Sequence, residues 1–232
     1  MVQSVVPLVV GSFNEFLPSS LIDQLGYATA VWVAFWVIVD LARWRRTAIA
    51  PISAALTISY KSTVKTLAVT VAKDGLYQRD VFACGRARWL THFAIFWGFV
   101  LLMVTTTLSW LTNPQIAPMT ISNPVRILGN VGGVLLVFGL VLAVGRRLLV
   151  SEVRTTSGFS DALFLFLIAA TATTGFLVEV ANQWSTYAFT YSIYMMHLYF
   201  VALLLGTAPF TKFIHVVGRF LMAFTESLSQ RR

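Results

Sequence analysis

Cysteine is nearly missing from this sequence: of 232 residues, only Cys84 carries a thiol. That excludes an intrachain disulfide, a Cys-x-x-Cys-His haem attachment and a cysteine-held iron–sulfur cluster within the chain. Any iron–sulfur centre that works with this protein sits on another one. Cys84 itself reads as a small inert residue near a helix start. Charge is scarce too. Only 11% of the residues are charged, against roughly 25% in soluble domains. Acids are the scarcer sign, with nine Asp and Glu against seventeen Lys and Arg. A surface so poor in charge faces something other than water, and lipid is the simple answer.

What fills the chain instead is long apolar runs. A transmembrane helix needs about 20 mostly apolar residues, and five segments qualify. They are Tyr27 to Ala42 (extendable back into Leu21 to Gly26), Trp89 to Leu111, Ile127 to Gly145, Asp161 to Val180, and a last span from about Ala188 to beyond Val217. The stretch Met1 to Val10 is apolar but short and lacks a basic start, so it suits neither a signal peptide nor a span. The expected fold is all-α, a five-helix transmembrane bundle with its N-terminus outside and its C-terminus cytoplasmic. It divides into an outer segment (1–25), a membrane domain (26–222) containing a 43–88 loop, and a short tail (223–232).

The orientation comes from the net charge of +8. Arg43, Arg45 and Arg46 close the first span, and Lys61, Lys65, Lys73, Arg79, Arg86 and Arg88 fill the loop after it. Arg146, Arg147 and Arg154 follow the third span, and Lys212, Arg219, Arg231 and Arg232 end the chain. Five spans put all of these on one side, which the positive-inside rule makes the cytoplasmic face of the plasma membrane. Arg126 alone falls on the other. The basic balance therefore reads as topology, not as affinity for nucleic acid. The 43–88 loop has helical character over Ile52 to Val71 and is suited to the membrane surface or to a partner.

All three histidines lie in or at the ends of spans, where ionisable side chains default to functional hypotheses. His197 and His215 are 18 residues apart. On one continuous helix that is five turns and a rise of ~27 Å, so both are expected on one face, near opposite membrane surfaces. His92, three residues into the second span, is expected at the depth of His215. Two imidazoles from different helices at one depth can clamp a haem iron, and no Cys, Asp or Glu accompanies them for zinc. The glycines Gly98, Gly129, Gly132, Gly133, Gly175 and Gly206 either leave room for a ring or let helices pack closely, the latter being the ordinary role. Pro209 should kink the last span, freeing the carbonyl near Leu205.

The segments RWLTHFAIFWGFVLL, RILGNVGGVLLVFGLVLAVGRR, DALFLFLIAATATTGF and above all HLYFVALLLGTAPFTKFIH resemble, in order, helices of one family of membrane cytochromes. It is the family of the gamma subunit of respiratory nitrate reductase, with the membrane cytochromes of heterodisulfide reductase and of sulfite-reductase-associated complexes. The resemblance covers roughly Gly26 to Val217. It implies five membrane helices, haem b, exchange of electrons with a quinone or quinol, and a cytoplasmic iron–sulfur partner subunit. It also implies that His92 and His215 are the axial pair of the inner haem and that His197 ligates a second, outer haem.

The family pattern has another histidine ten residues beyond the first on the second helix, where this chain has Leu102. Met103, ~20° off the His92 face, is one candidate ligand opposite His197; the other readings of His197 are a five-coordinate haem, a quinone contact or a plain hydrogen bond. One haem is expected, and a second is left open. Arg146, Arg147 and Lys212 lie at the depth of the inner haem propionates, or serve only as positive-inside anchors. Arg126, Glu179, Trp184 and Tyr194 gather near the outer face as the candidate quinone site. Two other readings stand beside this one: a proton-relaying transporter subunit, which would need more polar residues within the spans, and an anchor without haem.

Overall fold

The computed structural model describes residues 18–50, 60–112, 119–155, 158–184, 187–211 and 213–229. Among them there is helix and no strand. We number the helices α1 (Ser19–Trp44, continued by a π-helical turn Arg45–Ile49), α2 (Tyr60–Thr70, continued by a π-helical turn Val71–Leu76), α3 (Arg79–Ala83), α4 (Arg86–Thr112) and α5 (Pro124–Leu149). The rest are α6 (Ser151–Thr155), α7 (Phe159–Trp184), α8 (Tyr187–Thr207) and α9 (Phe213–Ser229). Five of these, α1, α4, α5, α7 and α8, are long and apolar enough to cross a membrane. Among the described residues the all-α reading holds, with the five membrane-length helices that were expected. The first span starts at Ser19, before the boundary expected at residue 26, and α9 runs across the boundary expected at residue 222.

Local chemistry sets several of the helix ends. Pro18 precedes α1. Asn123 caps α5, its side-chain oxygen accepting from the Val125 amide at 2.9 Å, and Pro124 follows where its missing N–H costs nothing. Arg146 and Arg147 end α5, where cations suit the carbonyl end of the dipole.

Chain neighbours pair antiparallel. On α4 and α5 glycines make the contact. A methyl on Gly98 would lie 2.6 Å from the Leu136 amide nitrogen, and one on Gly139 would lie 2.8 Å from that of Ile95. One on Gly132 would come 2.9 Å from the Leu101 side chain. Backbone thus rests on backbone, as small residues permit in membrane helix pairs. Gly133 instead receives the Phe176 ring of α7. The ordinary packing role of these glycines is the one the structure shows. A core of Leu136, Leu140, Leu167, Ile168, Ala172 and Leu204 joins α5, α7 and α8, with Leu102 packed against it.

The last span departs from expectation. It is not one helix to Val217: α8 stops at Thr207, a 3-10 turn covers Ala208–Phe210, and Thr211 is extended before α9 begins. Pro209 has no N–H for the Leu205 carbonyl, and its ring crowds that carbonyl. The helix ends there rather than kinking. His197 and His215 therefore belong to separate helices, and the five-turn reckoning that put them on one face does not apply. The Trp32 indole of α1 donates to the Gly206 carbonyl at 3.0 Å, and the rings of Trp32 and Trp36 pack on Phe210.

Beyond the break, α9 is amphipathic, burying Leu221, Phe224 and Leu228. It packs on α2 and the turn after it. The Trp44 indole ties α1 to this cap by donating to the Thr225 hydroxyl at 3.0 Å. The ends of α1 and α5 and the start of α4, with their arginines, lie at this end of the bundle. The opposite end holds Asp23, Trp110, Arg126 and Glu179.

Candidate functional site

At the basic end, a cavity of about 300 Å³ opens between α4, the 71–81 segment and α9. That size is within the range of cofactor and small-molecule sites. His92 and Phe96 line it from α4, Asp74, Gln78 and Asp80 from the connecting segment, and Arg219 and Phe220 from α9. His92 is in the first turns of α4, and its Nδ1 lies 2.8 Å from the Gln78 side-chain oxygen. The amide oxygen can only accept, so this contact places a proton on Nδ1.

Gln78 reaches His92 from an unusual backbone. Its φ of 59° and ψ of 48° are left-handed, and it is the one non-glycine among the described residues with positive φ. That conformation costs an L-residue roughly 1–2 kcal/mol. Two α4 indoles hold the carbonyls just before it. Trp97 donates to Leu76 at 3.1 Å and Trp89 to Tyr77 at 2.9 Å. Gln78 is 3% exposed, and its side-chain nitrogen is buried with no hydrogen-bond partner.

Electrostatics here are mixed. Burial pushes the Asp74 carboxyl above its ordinary range, and the neighbouring Asp80 carboxylate adds to the rise. Arg79 and Lys73 oppose it.

His197 sits on α8 against Gly175 of α7, where an added methyl would lie 3.2 Å from its Cε1. Its Nδ1 is 3.1 Å from the Thr174 hydroxyl, which lies 2.7 Å from the Ala170 carbonyl and donates its one proton there. With that proton on the carbonyl, the hydroxyl faces Nδ1 as an acceptor. Met103 does not join it. Met103 is 57% exposed and lies on the outer side of α4, whereas Leu102 faces the core.

The remaining expected site residues divide. Arg126 and Glu179 do come together, with Nη2 to Oε1 at 2.6 Å and side-chain exposures of 10% and 32%. Arg126 also donates to the Met119 carbonyl, and the Asn130 amide donates to Glu179 at 3.3 Å. Tyr194 is buried with Tyr191, against Ile22, Val178 and Leu198. Arg146 and Arg147 are not among the residues lining the His92 cavity, and Arg147 donates to the Ala143 carbonyl of its own helix at 3.3 Å. Arg219 is the arginine among the residues that line it. Lys212 lies outside the described residues, as do the side chains of Trp184 and His215. His215 is on α9 one helical turn before Arg219. Gln78 and Thr174 are partners of the histidines that sequence reasoning missed, whereas Gly175 was among the glycines expected to pack closely. The three threonines Thr171, Thr173 and Thr174 within an apolar span are a signal that could have found Thr174.

No family model matches the chain, and no solved structure does. Over an alignment of 160 positions that covers 62% of the chain, it is 23% identical to the E subunit of the dihydromethanophenazine:CoB–CoM heterodisulfide reductase of Methanosarcina barkeri. It is 26% identical over 160 residues to the protein of the same name from Methanosarcina mazei. It spans about three fifths of these relatives, 61% and 62% of their lengths.

Proposed function

We propose that this chain is the membrane cytochrome subunit of a redox complex in the cytoplasmic membrane. In this reading His92 of α4 and His215 of α9 hold one haem b at the basic end. Electrons pass between a quinone-type lipid-soluble carrier and an iron–sulfur partner protein docked on that end. The observation that carries it is the His92 ring, its Nδ1 fixed by Gln78, lining a cavity closed on the other side by the helix that bears His215. A coordinating imidazole needs its second nitrogen bound to an acceptor that fixes tautomer and ring orientation, and Gln78 is that acceptor. The aromatic walls of Phe96 and Phe220 suit a flat macrocycle, and Arg219 suits its carboxylates.

Haem b bound there supplies one-electron transfer at a potential set by its ligands and by burial. The chain's own residues position it, exclude water and present a basic face to the partner. The relatives are named for a dihydrophenazine and a heterodisulfide. That likeness supports a membrane redox role and a ring-type electron carrier. At the far end, Glu179 is the carboxylate available to a carrier that releases protons, held by Arg126 and Asn130. His197, with Nδ1 on Thr174, is the candidate ligand for a second haem, without Met103 as its partner.

A dithionite-reduced spectrum of the purified full chain, with pyridine haemochrome quantitation, tests the reading. A b-type alpha band that is lost from a one-haem protein, or halved in a two-haem protein, in both His92→Ala and His215→Ala supports it, and a band that neither variant changes rejects the ligand pair. A wild-type protein without the band rejects it in favour of a haem-free anchor. The haemochrome ratio decides between one haem and two.

A further inference from the structure

We infer that Gln78 is a positioning residue that sets the orientation and electron donation of the His92 imidazole. The inference rests on the cytochrome reading above and adds a residue to it from the loop outside the spans.

Three features place Gln78 in this role. The first is the 2.8 Å contact from its side-chain oxygen to His92 Nδ1. The second is its cost to the fold, since the residue takes a left-handed backbone and buries its amide nitrogen without a partner. A glutamine placed for its own hydrogen bonding would satisfy both ends of the amide; this one satisfies the oxygen, on His92. The third is how its turn is held. Trp89 and Trp97 flank His92 on α4 and grip the carbonyls of Tyr77 and Leu76, the two residues immediately before Gln78. One helix thus supplies both the imidazole and the two indoles that aim the amide at it. Packing alone requires neither the left-handed backbone nor the polar end.

The chemistry gives a signed outcome. An acceptor on Nδ1–H raises the basicity of the opposite nitrogen, so the ligand donates more strongly and favours oxidised iron. Removing the acceptor should raise the midpoint potential, and a stronger acceptor should lower it. Gln78→Leu removes the acceptor at similar volume, and Gln78→Glu keeps the shape with a carboxylate. The experiment is a potentiometric titration of the full-length protein, following the part of the alpha band that His92→Ala removes, with low-temperature EPR of the oxidised state. Retention is read by titrating protohaem into depleted protein.

Gln78→Leu should shift the potential upward, change the low-spin g values and weaken haem retention by about 10–100-fold, as loss of such partners does. Gln78→Glu should retain haem and shift the potential downward. If Gln78→Leu loses haem altogether, retention with a lowered potential in Gln78→Glu supports the assignment, and loss in both overturns it. Unmoved potentials and g values in both, with the His92-dependent band intact, overturn the assignment and leave the cytochrome reading standing. A wild-type chain without that band overturns the cytochrome reading, and this assignment with it.

Discussion

Replacing Gly98 with alanine tests the packing argument most directly. The added methyl would lie 2.6 Å from the Leu136 amide nitrogen, 2.8 Å from its Cα and 2.9 Å from the Gly132 carbonyl oxygen. Carbon contacts settle at about 3.5–4.0 Å, so α4 and α5 must separate locally by about 1 Å. All three atoms are backbone, and no side-chain rotation relieves them. Overpacking of this kind costs about 1–3 kcal/mol, while the gain in helix propensity from Gly to Ala returns about 0.5–1 kcal/mol. The net expectation is a loss of about 1–2 kcal/mol.

Gly145, on α5 with nothing within 4 Å of its added methyl, is the control. Gly145→Ala keeps the propensity gain without the clash, so it should be neutral or slightly stabilising. Thermal unfolding in detergent, followed by far-UV circular dichroism, should separate the two variants by several degrees. Equal midpoints for Gly98→Ala and Gly145→Ala would refute the backbone contact.

Other perturbations follow from the same geometry. Glu179→Gln leaves the Arg126 guanidinium, 10% exposed, without its carboxylate. It should cost about 2 kcal/mol, below the 3–5 kcal/mol of a fully buried pair because Glu179 is partly exposed. Thermal unfolding should show Arg126→Gln/Glu179→Gln recovering part of that loss, and no recovery would mean the pair is not coupled. Asp74 holds its proton more tightly when folded, since its carboxyl lies above the ordinary 3.8. Its contribution is therefore fully present below that value and is lost as pH rises through the raised folded one. Melting temperatures of Asp74→Asn should fall less than wild type across that window; parallel curves would remove Asp74 as the cause. Trp32→Phe deletes the 3.0 Å bond to the Gly206 carbonyl, worth about 1 kcal/mol. Amide exchange near the helix break should speed up, and unchanged exchange would mean the indole does not hold it.

The five spans were legible because each is an apolar run of membrane length, a signal that needs no knowledge of the neighbours. So was the meeting of Arg126 with Glu179, since span alternation puts both at one end. The break at Pro209 was legible only as a kink. Whether a proline bends or ends a helix depends on what can take up the freed carbonyls, and Trp32 lies 174 residues away from Gly206 in sequence. The same-face reckoning for His197 and His215 failed for that reason, as it assumed an unbroken helix. Gln78 left no trace, because left-handed positions are ordinarily marked by glycine, asparagine or aspartate. Its conformation is set by indoles on another helix. Met103 fell close to the His92 face by angle, yet one residue decides between core and surface on a helix, and Leu102 took the core.

The tightest pairings, α4 with α5 and α7 with α8, join segments that follow one another along the chain. Each is a hairpin whose second leg finds its mate already beside it when it enters the bilayer. Little chain entropy is lost in such local closure, so synthesis delivers two preassembled halves. Only then must the shared leucine-rich core between them close. Damage to the glycine seam should accordingly show early, as poor insertion of the first hairpin, before any cofactor could be missed.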